Sequence, residues 1–481
     1  MSPGQTPWSC PPSTRASACR PWRRWPAGAR PSCPPAHRCP RYAGTRPCIA
    51  IRATSRTSQP RCSKWRQTAP RARSCARKAC SAHGNSRGTS APARRSRSSK
   101  ACWSSGRLPV KILQHVKSFR TTHGGVERVV EELVPELNRY PDLEVDVLCQ
   151  GPDSRDYALP GRGKVFQART DLAVSAASLS WRDLRVWQRV ASRYDIVHVH
   201  LPWPQSNLNL LLKRFEGALV VHWHSDIVRQ RFLYRCYRWL ERWLLQRADR
   251  ICVTSPKLLE ESAALDGFRH KAVSIAIGIP EAAHEIGEEE IQALRSRYGG
   301  RPIVFALGRL VPYKGFEHLV RGAASLVKDG LILIGGEGPL RGALESLIRE
   351  LGVAHKVKLL GSIADREVEL HVRACSAFCL PSVQKSEAFG IVQVEAMRAG
   401  RPVVSTRIQG SGVDWVNQDG VTGLTVEPCN PAALAQALNR IVGDAEAARR
   451  FGGNARKRYE ELFTARRMAE QVRAMYVSLR L

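Results

Sequence analysis

Residues 110–116 read Val110-Lys-Ile-Leu-Gln-His-Val116, and this stretch decides the fold. It is short and mostly apolar, which predicts a strand buried within a sheet. Gly124 and Gly125 follow it, and an apolar residue then recurs at helical spacing over residues 126–137. A buried strand that leads through a glycine turn into an amphipathic helix predicts a βαβ unit and therefore a parallel sheet.

The same alternation of apolar runs and amphipathic helices continues to the end of the chain. It predicts an α/β protein with two Rossmann-like domains of six strands each, joined by a linker near residues 280–290. Ligands of such sheets bind beyond the carboxyl ends of the strands. The strands are predicted at 110–116, 143–149, 194–199, 218–223, 249–254 and 271–277, and then at 302–308, 331–335, 356–361, 376–381, 402–406 and 421–426.

Residues 1–108 have a different composition from the rest of the chain. They contain no Asp or Glu, 23 of the 75 basic residues and nine of the 15 cysteines, and therefore carry +23 of the net charge of +33. A segment with no apolar period cannot bury enough surface to offset the entropy lost on ordering. We expect it to be disordered or non-native, the product of a mis-assigned upstream start. Nucleic-acid binding through its arginines is the alternative, although no regularly spaced aromatic residues accompany them.

The remainder of the chain indicates where the protein is found. No stretch reaches the roughly 20 apolar residues that a membrane-spanning helix needs. Six cysteines follow residue 108, in no disulfide-like framework, as suits a reducing cytoplasm. We therefore expect a cytoplasmic protein without integral membrane segments, either free or at the inner face of the cytoplasmic membrane.

Two loops of the second series have the composition of anion-binding sites. Gly308 and Arg309 follow a predicted strand, and Lys314 lies five residues after Arg309, so both cations can reach one anion. A solvated loop with two basic residues is the alternative. Gly336 and Gly338 follow the next strand at a helix start, where glycines allow close backbone approach and amides favour an anion. A tight strand-to-helix turn explains them equally well.

The most specific pattern is Ser386-Glu387-Ala-Phe-Gly-Ile-Val-Gln-Val-Glu395-Ala-Met397. Glu387 is predicted in a loop and Glu395 about two turns into a helix. Phe389, Gly390 and Ile391 lie at the predicted helix start, where their free amides can bind a phosphate. Glu395 is predicted to lie among apolar residues and needs a partner, for which vicinal hydroxyls are suitable.

Together these motifs resemble the retaining nucleotide-sugar glycosyltransferases of family 4, also called group 1, which have the GT-B fold. The resemblance covers residues 110–480 and is nearest to bacterial mannosyl- and rhamnosyltransferases of O-antigen synthesis. Two segments suggest that subgroup, residues 222–228 and 309–315. The resemblance implies a first domain over 109–283, a second over 284–463 and a C-terminal helix over 464–481 that packs back toward the first domain.

The resemblance also implies a role for each site residue. Arg309 and Lys314 would stabilise the leaving nucleotide, Glu387 would bind hydroxyls of the transferred sugar, and Glu395 would bind the ribose. His200 would lie near the reacting centre and His224 on a neighbouring loop, although a structural imidazole is the alternative for each. The remaining donor-site residues would be Gly308, Gly336, Gly338, Phe389, Gly390 and Ile391, and the loop facing the donor phosphate and acceptor would contain Gly124 and Gly125.

The expected function is the transfer of a hexose, of mannose or rhamnose type, from a GDP-linked sugar to a glycan or lipid-linked acceptor. A UDP-sugar transferase or a GT-B epimerase is the alternative. We expect no metal and no other cofactor, since the chain contains no Asp-x-Asp. An NAD(P) oxidoreductase is disfavoured, because neither half opens with GxGxxG. No nucleic-acid partner is expected.

Residues Arg229–Arg247 form a basic stretch rich in aromatic residues. A helix of this composition can lie on an anionic membrane surface, which suits a lipid-linked acceptor. A helix that packs on the first sheet with solvated arginines is the alternative.

Overall fold

The computed structural model describes residues 108–120, 124–174, 177–227, 231–281, 284–326 and 329–479. All of them belong to one compact unit. Two sheets organise this unit, and we call the parts built on them the first lobe and the second lobe. The predictions for residues 1–107 lie outside the described residues.

The large sheet of the first lobe consists mostly of parallel strands, in the order β10-β9-β8-β7-β1-β2-β4-β3. The prediction of six strands was wrong in number, because β3 and β4 extend this sheet and β5 and β6 form a separate hairpin. The lobe's strands are β1 (Val110–Ser118), β2 (Leu143–Gly151), β3 (Arg155–Ala158), β4 (Lys164–Arg169), β5 (Leu172–Val174), β6 (Ala177–Leu179), β7 (Ile196–Leu201), β8 (Ala218–Trp223), β9 (Arg250–Val253) and β10 (Ala272–Ser274).

The second lobe has the predicted six strands, all parallel, in the order β13-β12-β11-β14-β15-β16. The strand order changes direction between β11 and β14 here, and between β1 and β7 in the first lobe. Such switch points open a crevice at the carboxyl ends of the strands. The strands are β11 (Ile303–Leu307), β12 (Leu331–Gly335), β13 (Val357–Gly361), β14 (Ala377–Leu380), β15 (Val403–Thr406) and β16 (Gly423–Val426).

Helices cover the sheets and bury an apolar stripe against them. In the first of these helices, Val129, Val130, Leu133 and Val134 are buried, as the period over residues 126–137 predicts. The helices are α1 (Gly125–Leu137), α2 (Trp181–Val190), α3 (Pro204–Leu212), α4 (Arg231–Arg247), α5 (Pro256–Glu261), α6 (Glu288–Arg297), α7 (Phe316–Gly322), α8 (Arg341–Glu350), α9 (Asp365–Ala374), α10 (Ile391–Arg398), α11 (Val413–Val416), α12 (Pro431–Gly443), α13 (Ala445–Leu462) and α14 (Ala465–Ser478).

The chain passes between the lobes twice, and the two crossings lie side by side. The amide of Ile279 donates to the carbonyl of Phe463 at 2.8 Å, and the amide of Ala465 donates to the carbonyl of Ile279 at 2.9 Å. After the second crossing, α14 packs on α1 of the first lobe, where Arg473 forms an ion pair with Asp142 at 2.8 Å. The predicted return of the C-terminal helix to the first domain is therefore confirmed.

Candidate active site

The loop after β11 contains the first predicted site residues. Gly308 has a φ of 151°, and a Cβ placed on it would lie 3.1 Å from Cε of Lys314. Its missing side chain therefore gives the lysine room to cross the loop. Gly315 has a φ of 66°, and a Cβ there would lie 2.1 Å from the carbonyl oxygen of Pro381. The two glycines let this loop pack closely on the segment that follows β14.

Lys314 and Glu387 form a buried ion pair at the switch point of the second sheet. Lys314 Nζ lies 2.5 Å from Glu387 Oε2, and each residue is only 8% exposed. The hydroxyl of Ser382 donates to the same Oε2 at 2.9 Å. Burial is the largest single influence and lowers the pKa of Lys314, but the Glu387 carboxylate and Tyr313 together outweigh it and the pKa is raised. The lysine therefore stays charged at neutral pH.

Arg309 stands apart from that pair. The residue is exposed, and its guanidinium forms no ion pair with another described residue. The structure therefore places one buried, paired cation and one exposed, unpaired cation within six residues of the same loop. An exposed guanidinium at the edge of a crevice is free to bind an anion that arrives from solvent.

Helix α10 begins at the predicted position. Gly390 precedes it with a φ of 73°, and a Cβ on Gly390 would lie 2.6 Å from Leu380 Cδ2. The backbone turns there, and the amides of Ile391 and Val392 have no acceptors within the helix, whereas the amide of Gln393 donates to the Gly390 carbonyl at 2.9 Å. Phe389 is 3% exposed and its ring packs against Phe463 at 5.9 Å between centroids. The phenylalanine side chain thus anchors the loop, while the amides of Ile391 and Val392 remain available.

Glu395 is buried, and its partner is a residue that the sequence analysis did not assign. Its Oε1 lies 2.5 Å from Nη1 of Arg128, which lies on α1 of the opposite lobe. Its Oε2 is buried and has no hydrogen-bond partner among the described residues. Arg128 follows Gly124-Gly125 within one helical turn, and that proximity is the only sequence signal that points to it.

The glycine loop of the first lobe lies beside the start of α10. A Cβ on Gly125 would lie 3.8 Å from Cδ1 of Ile391, and a Cβ on Gly124 would overlap the Glu127 carboxylate at 1.9 Å. Burial raises the pKa of that carboxyl, and the backbone amide of Glu127 only partly offsets the effect. Gly124 therefore leaves room for the Glu127 carboxylate within the first lobe, and Gly125 lies at ordinary contact distance from the start of α10.

Gly336 and Gly338 have a packing role in this structure. A Cβ on Gly336, where φ is 124°, would lie 2.1 Å from the Gly308 carbonyl oxygen. A Cβ on Gly338 would lie 2.4 Å from the Leu310 carbonyl oxygen. The close approach that they allow is to the Gly308–Leu310 loop, so they support the loop that contains Arg309.

His200 and His224 belong to a buried hydrogen-bond network. His200 Nδ1 lies 2.9 Å from His224 Nε2, and His200 Nε2 lies 2.8 Å from Gln114 Oε1. An amide oxygen only accepts, so His200 carries its proton on Nε2 and accepts from His224 through Nδ1. Gln114 in turn donates to the Tyr476 hydroxyl at 2.9 Å, and that hydroxyl lies 2.6 Å from His198 Nδ1. Tyr476 of helix α14 thus holds His198 directly and His200 through Gln114.

His198, His200 and His222 place ring nitrogens within 4.8 Å of one another, which raises the question of a metal. The rings of His198 and His222 stack at 8° and those of His198 and His200 at 22°. Lone pairs of stacked rings lie in nearly parallel planes and do not converge on a point. Both nitrogens of His200 also have hydrogen-bond partners already. This cluster therefore suits hydrogen bonding better than metal coordination.

Acid should destabilise the protein through these histidines. Burial, reinforced by neighbouring imidazoles, holds the pKa of His198, His200 and His224 well below its usual range, and burial lowers that of His222 to about 3. The unfolded chain therefore binds more protons than the native state below pH 6.5. Each histidine should lower the free energy of unfolding by about 1.4 kcal/mol between pH 7.5 and 5.5. Urea midpoints at the two pH values measure this loss, and equal midpoints would contradict it.

The loops of the two lobes meet around these residues. Besides the Arg128–Glu395 contact, Lys385 Nζ lies 3.1 Å from Oδ2 of Asp226. Lys385 is two residues before Glu387, and Asp226 is two residues after His224. The cleft therefore brings together the glycine loop, the histidine network, the Lys314–Glu387 pair and the start of α10.

This fold and this cleft define a class of protein, the glycosyltransferases with the GT-B fold. Sucrose-phosphate synthase from Thermosynechococcus elongatus has a similar structure, with a TM-score of 0.65 at 22% identity over 77% of this chain and 99% of that chain. Anabaena Alr3699/HepE, in complex with UDP and glucose, gives a TM-score of 0.62 at 21% identity over 77% of this chain and 100% of that chain. At these identities the likeness shows the fold.

Sequence comparisons identify the family. The family model described as Glycosyltransferase Family 4 matches residues 123–282, and the one described as Glycosyl transferases group 1 matches residues 288–458. D-rhamnosyltransferase WbpZ of Pseudomonas aeruginosa is 32% identical over 74% of this chain and 93% of its own length. O-antigen chain mannosyltransferase C of Escherichia coli is 29% identical over 77% of this chain and 99% of its own length. The chain therefore belongs to the family 4, group 1 glycosyltransferases.

Among the described residues, none of the helices has the length and apolar character needed to cross a membrane.

Proposed function

We propose that the protein transfers a hexose of mannose or rhamnose type, with retention of anomeric configuration, from a nucleotide sugar to a glycan or lipid-linked acceptor in polysaccharide synthesis. The observation that carries the proposal is the buried Lys314–Glu387 pair at the switch point of the second sheet. The loop that contains Lys314 also contains Arg309, and the loop that contains Glu387 leads into α10 with its free amides. This is the set of groups that a sugar diphosphate requires.

The chemistry follows from the charges. When the bond between the sugar and the diphosphate breaks, negative charge grows on the diphosphate. Lys314, Arg309 and the first amides of α10 stabilise that charge, and groups fixed in advance in a partly dry cleft do so effectively. Ser382 and Lys314 both contact Oε2 of Glu387, which leaves Oε1 as the acceptor for a hydroxyl of the transferred sugar.

Retention is proposed to occur by substitution on one face of the sugar. Double displacement would need a nucleophilic carboxylate opposite the leaving group, whereas Glu387 is already engaged by Lys314. In the same-face path the leaving diphosphate accepts the proton of the acceptor hydroxyl as the new bond forms. His200 is neutral at pH 7, buried and hydrogen-bonded through both ring nitrogens. We therefore propose that it supports the reacting centre through His224 and Gln114, and the prediction of direct contact with the sugar is replaced by this role. We also propose that no metal is required, since Arg309 and Lys314 supply the positive charge.

The nature of the sugar rests on the relatives. Two of the relatives are a mannosyltransferase and a rhamnosyltransferase, and GDP is the expected nucleotide. A UDP-linked donor is the alternative, supported by the UDP complex of a protein with the same fold. An epimerase of GT-B fold is the other alternative, and it would convert the donor without any acceptor.

A panel of donors tests the proposal. The protein is incubated in EDTA with GDP-mannose, GDP-rhamnose, UDP-glucose or UDP-N-acetylglucosamine and a lipid-linked glycan, and released nucleoside diphosphate and product are measured. We expect release from a GDP-linked hexose only with acceptor present, and an NMR anomeric signal that matches the donor. If the acceptor-dependent release occurred with a UDP-sugar and not with a GDP-linked hexose, the donor assignment would change to UDP. Conversion of the donor without acceptor would support the epimerase, and loss of activity in EDTA would refute the metal-free proposal.

We also propose a peripheral membrane contact through α4. Its Trp239 is 61% exposed, with exposed Arg238 and Arg242 beside it, while Leu244 and Leu245 are buried in the first lobe. The helix therefore packs on its sheet and still presents an aromatic, basic side, as suits anionic lipid. Residues 229–230 lie outside the described residues.

Trp239→Ala should reduce co-sedimentation of the protein with anionic vesicles, because it removes the exposed aromatic ring of α4. Unchanged co-sedimentation would contradict the membrane contact.

A further inference from the structure

Arg128 connects the two lobes at the buried carboxylate of Glu395. It lies in the first turn of α1, and its Nη1 lies 2.5 Å from Glu395 Oε1. The Arg128 side chain is 38% exposed, whereas that of Glu395 is 6% exposed. A second carboxylate, Glu132, lies one turn further along α1 at 3.8 Å from Nε. The close contact is therefore the one across the cleft.

The two oxygens of Glu395 have different surroundings. Oε1 accepts from Arg128, while Oε2 is buried without a partner among the described residues. A buried carboxylate oxygen without a donor is destabilising, because the hydrogen bonds that it gave up to water are not replaced. Such a cost is recovered if a ligand supplies the missing donor. A hydroxyl is the donor that a nucleotide sugar can offer without adding charge.

We infer that Arg128 is a positioning residue of the donor site, which holds Glu395 Oε1 from the opposite lobe and so aims Oε2 at a vicinal hydroxyl of the donor's ribose. The inference rests on the proposed function, because it requires a ribonucleotide donor. The arginine need not leave when the nucleotide binds, since the two oxygens of Glu395 serve different partners. Nucleotide affinity then depends on contact between the lobes.

This arrangement couples donor binding to closure of the cleft. When the lobes separate, Glu395 loses its cation, and the carboxylate is no longer held in one orientation. Because coupling is reciprocal, a bound ribonucleotide should stabilise the closed cleft by as much as closure strengthens binding. A nucleotide that lacks the hydroxyl should lack this part of the coupling.

Calorimetric titration with GDP, UDP and their 2′-deoxy forms tests the inference. The full chain is compared with Arg128→Ala, Arg128→Lys, Glu395→Gln and the double variant Arg128→Ala/Glu395→Gln. We expect the native protein to prefer a ribonucleotide over its deoxy form. Arg128→Ala should weaken ribonucleotide binding about tenfold and bring the ribose-to-deoxyribose ratio close to one, with partial recovery in Arg128→Lys. The double variant should bind no more weakly than Glu395→Gln.

A matched control separates this effect from a general loss of an arginine. Arg139 lies just beyond α1, is exposed and pairs with Glu136 at 3.0 Å, and Arg139→Ala should keep the native ratio. If the native protein prefers ribose and Arg128→Ala keeps that preference, the Arg128 inference is overturned and the proposed function stands. Additive losses in the double variant would also overturn it. If the native protein binds none of these nucleotides, both fail.

Discussion

Lys314→Met is expected to lower turnover about 10²–10³-fold, which is the loss typical of removing one group that stabilises transition-state charge. The same substitution leaves Glu387 buried without its cation, and breaking a buried pair costs about 3–5 kcal/mol of stability. Turnover and the free energy of unfolding should therefore fall together. Initial rates and urea unfolding of the same preparation measure the two losses.

A double variant separates catalysis from folding. Lys314→Met/Glu387→Gln has no uncompensated charge, so it should regain most of the stability that the single variant loses. Its turnover should remain as low as that of Lys314→Met, because neither group can act on the donor. A double variant that recovered both stability and turnover would show that the pair serves only the fold.

Arg309→Ala is expected to lower turnover to a similar extent, about 10²–10³-fold, but with almost no change in stability. Arg309 is exposed and forms no ion pair with the other described residues. Surface substitutions of this kind usually change the free energy of unfolding by less than about 0.5 kcal/mol. Steady-state rates and the thermal midpoint are the two measurements.

Arg321 provides the matched control for Arg309. It is an exposed arginine in the last turn of α7, in the same lobe, and Arg321→Ala removes the same charge from that lobe. Its turnover should stay near that of the native protein. If Arg309→Ala retains native turnover, the exposed guanidinium has no part in stabilising the leaving group.

The sequence predicts the positions of the Arg309–Lys314 loop and the Glu387–Glu395 segment well, because local features define them. The Arg309-to-Lys314 spacing and the Glu387-to-Glu395 spacing each lie within one strand-loop-helix unit. Their surroundings in the structure, a switch point and a helix start, follow from the alternation of strands and helices. The six strands of the second lobe are confirmed for the same reason.

Features that depend on tertiary contacts were missed. β3 is polar, mostly exposed and at the edge of its sheet, so its residues show no apolar alternation that would predict a strand. Arg128 and Glu395 are 267 positions apart in the sequence, and the network from Tyr476 to His200 joins α14 to the first sheet. No local pattern relates such residues, since only the packing of the two lobes brings them together.

A crystal structure of the protein with a bound nucleoside diphosphate is the most direct test of the central claim. The account predicts phosphate oxygens within hydrogen-bond distance of Arg309, Lys314 and the first amides of α10, with the ribose at Glu395. A diphosphate bound elsewhere in the cleft, with these groups turned toward solvent or toward one another, would contradict it.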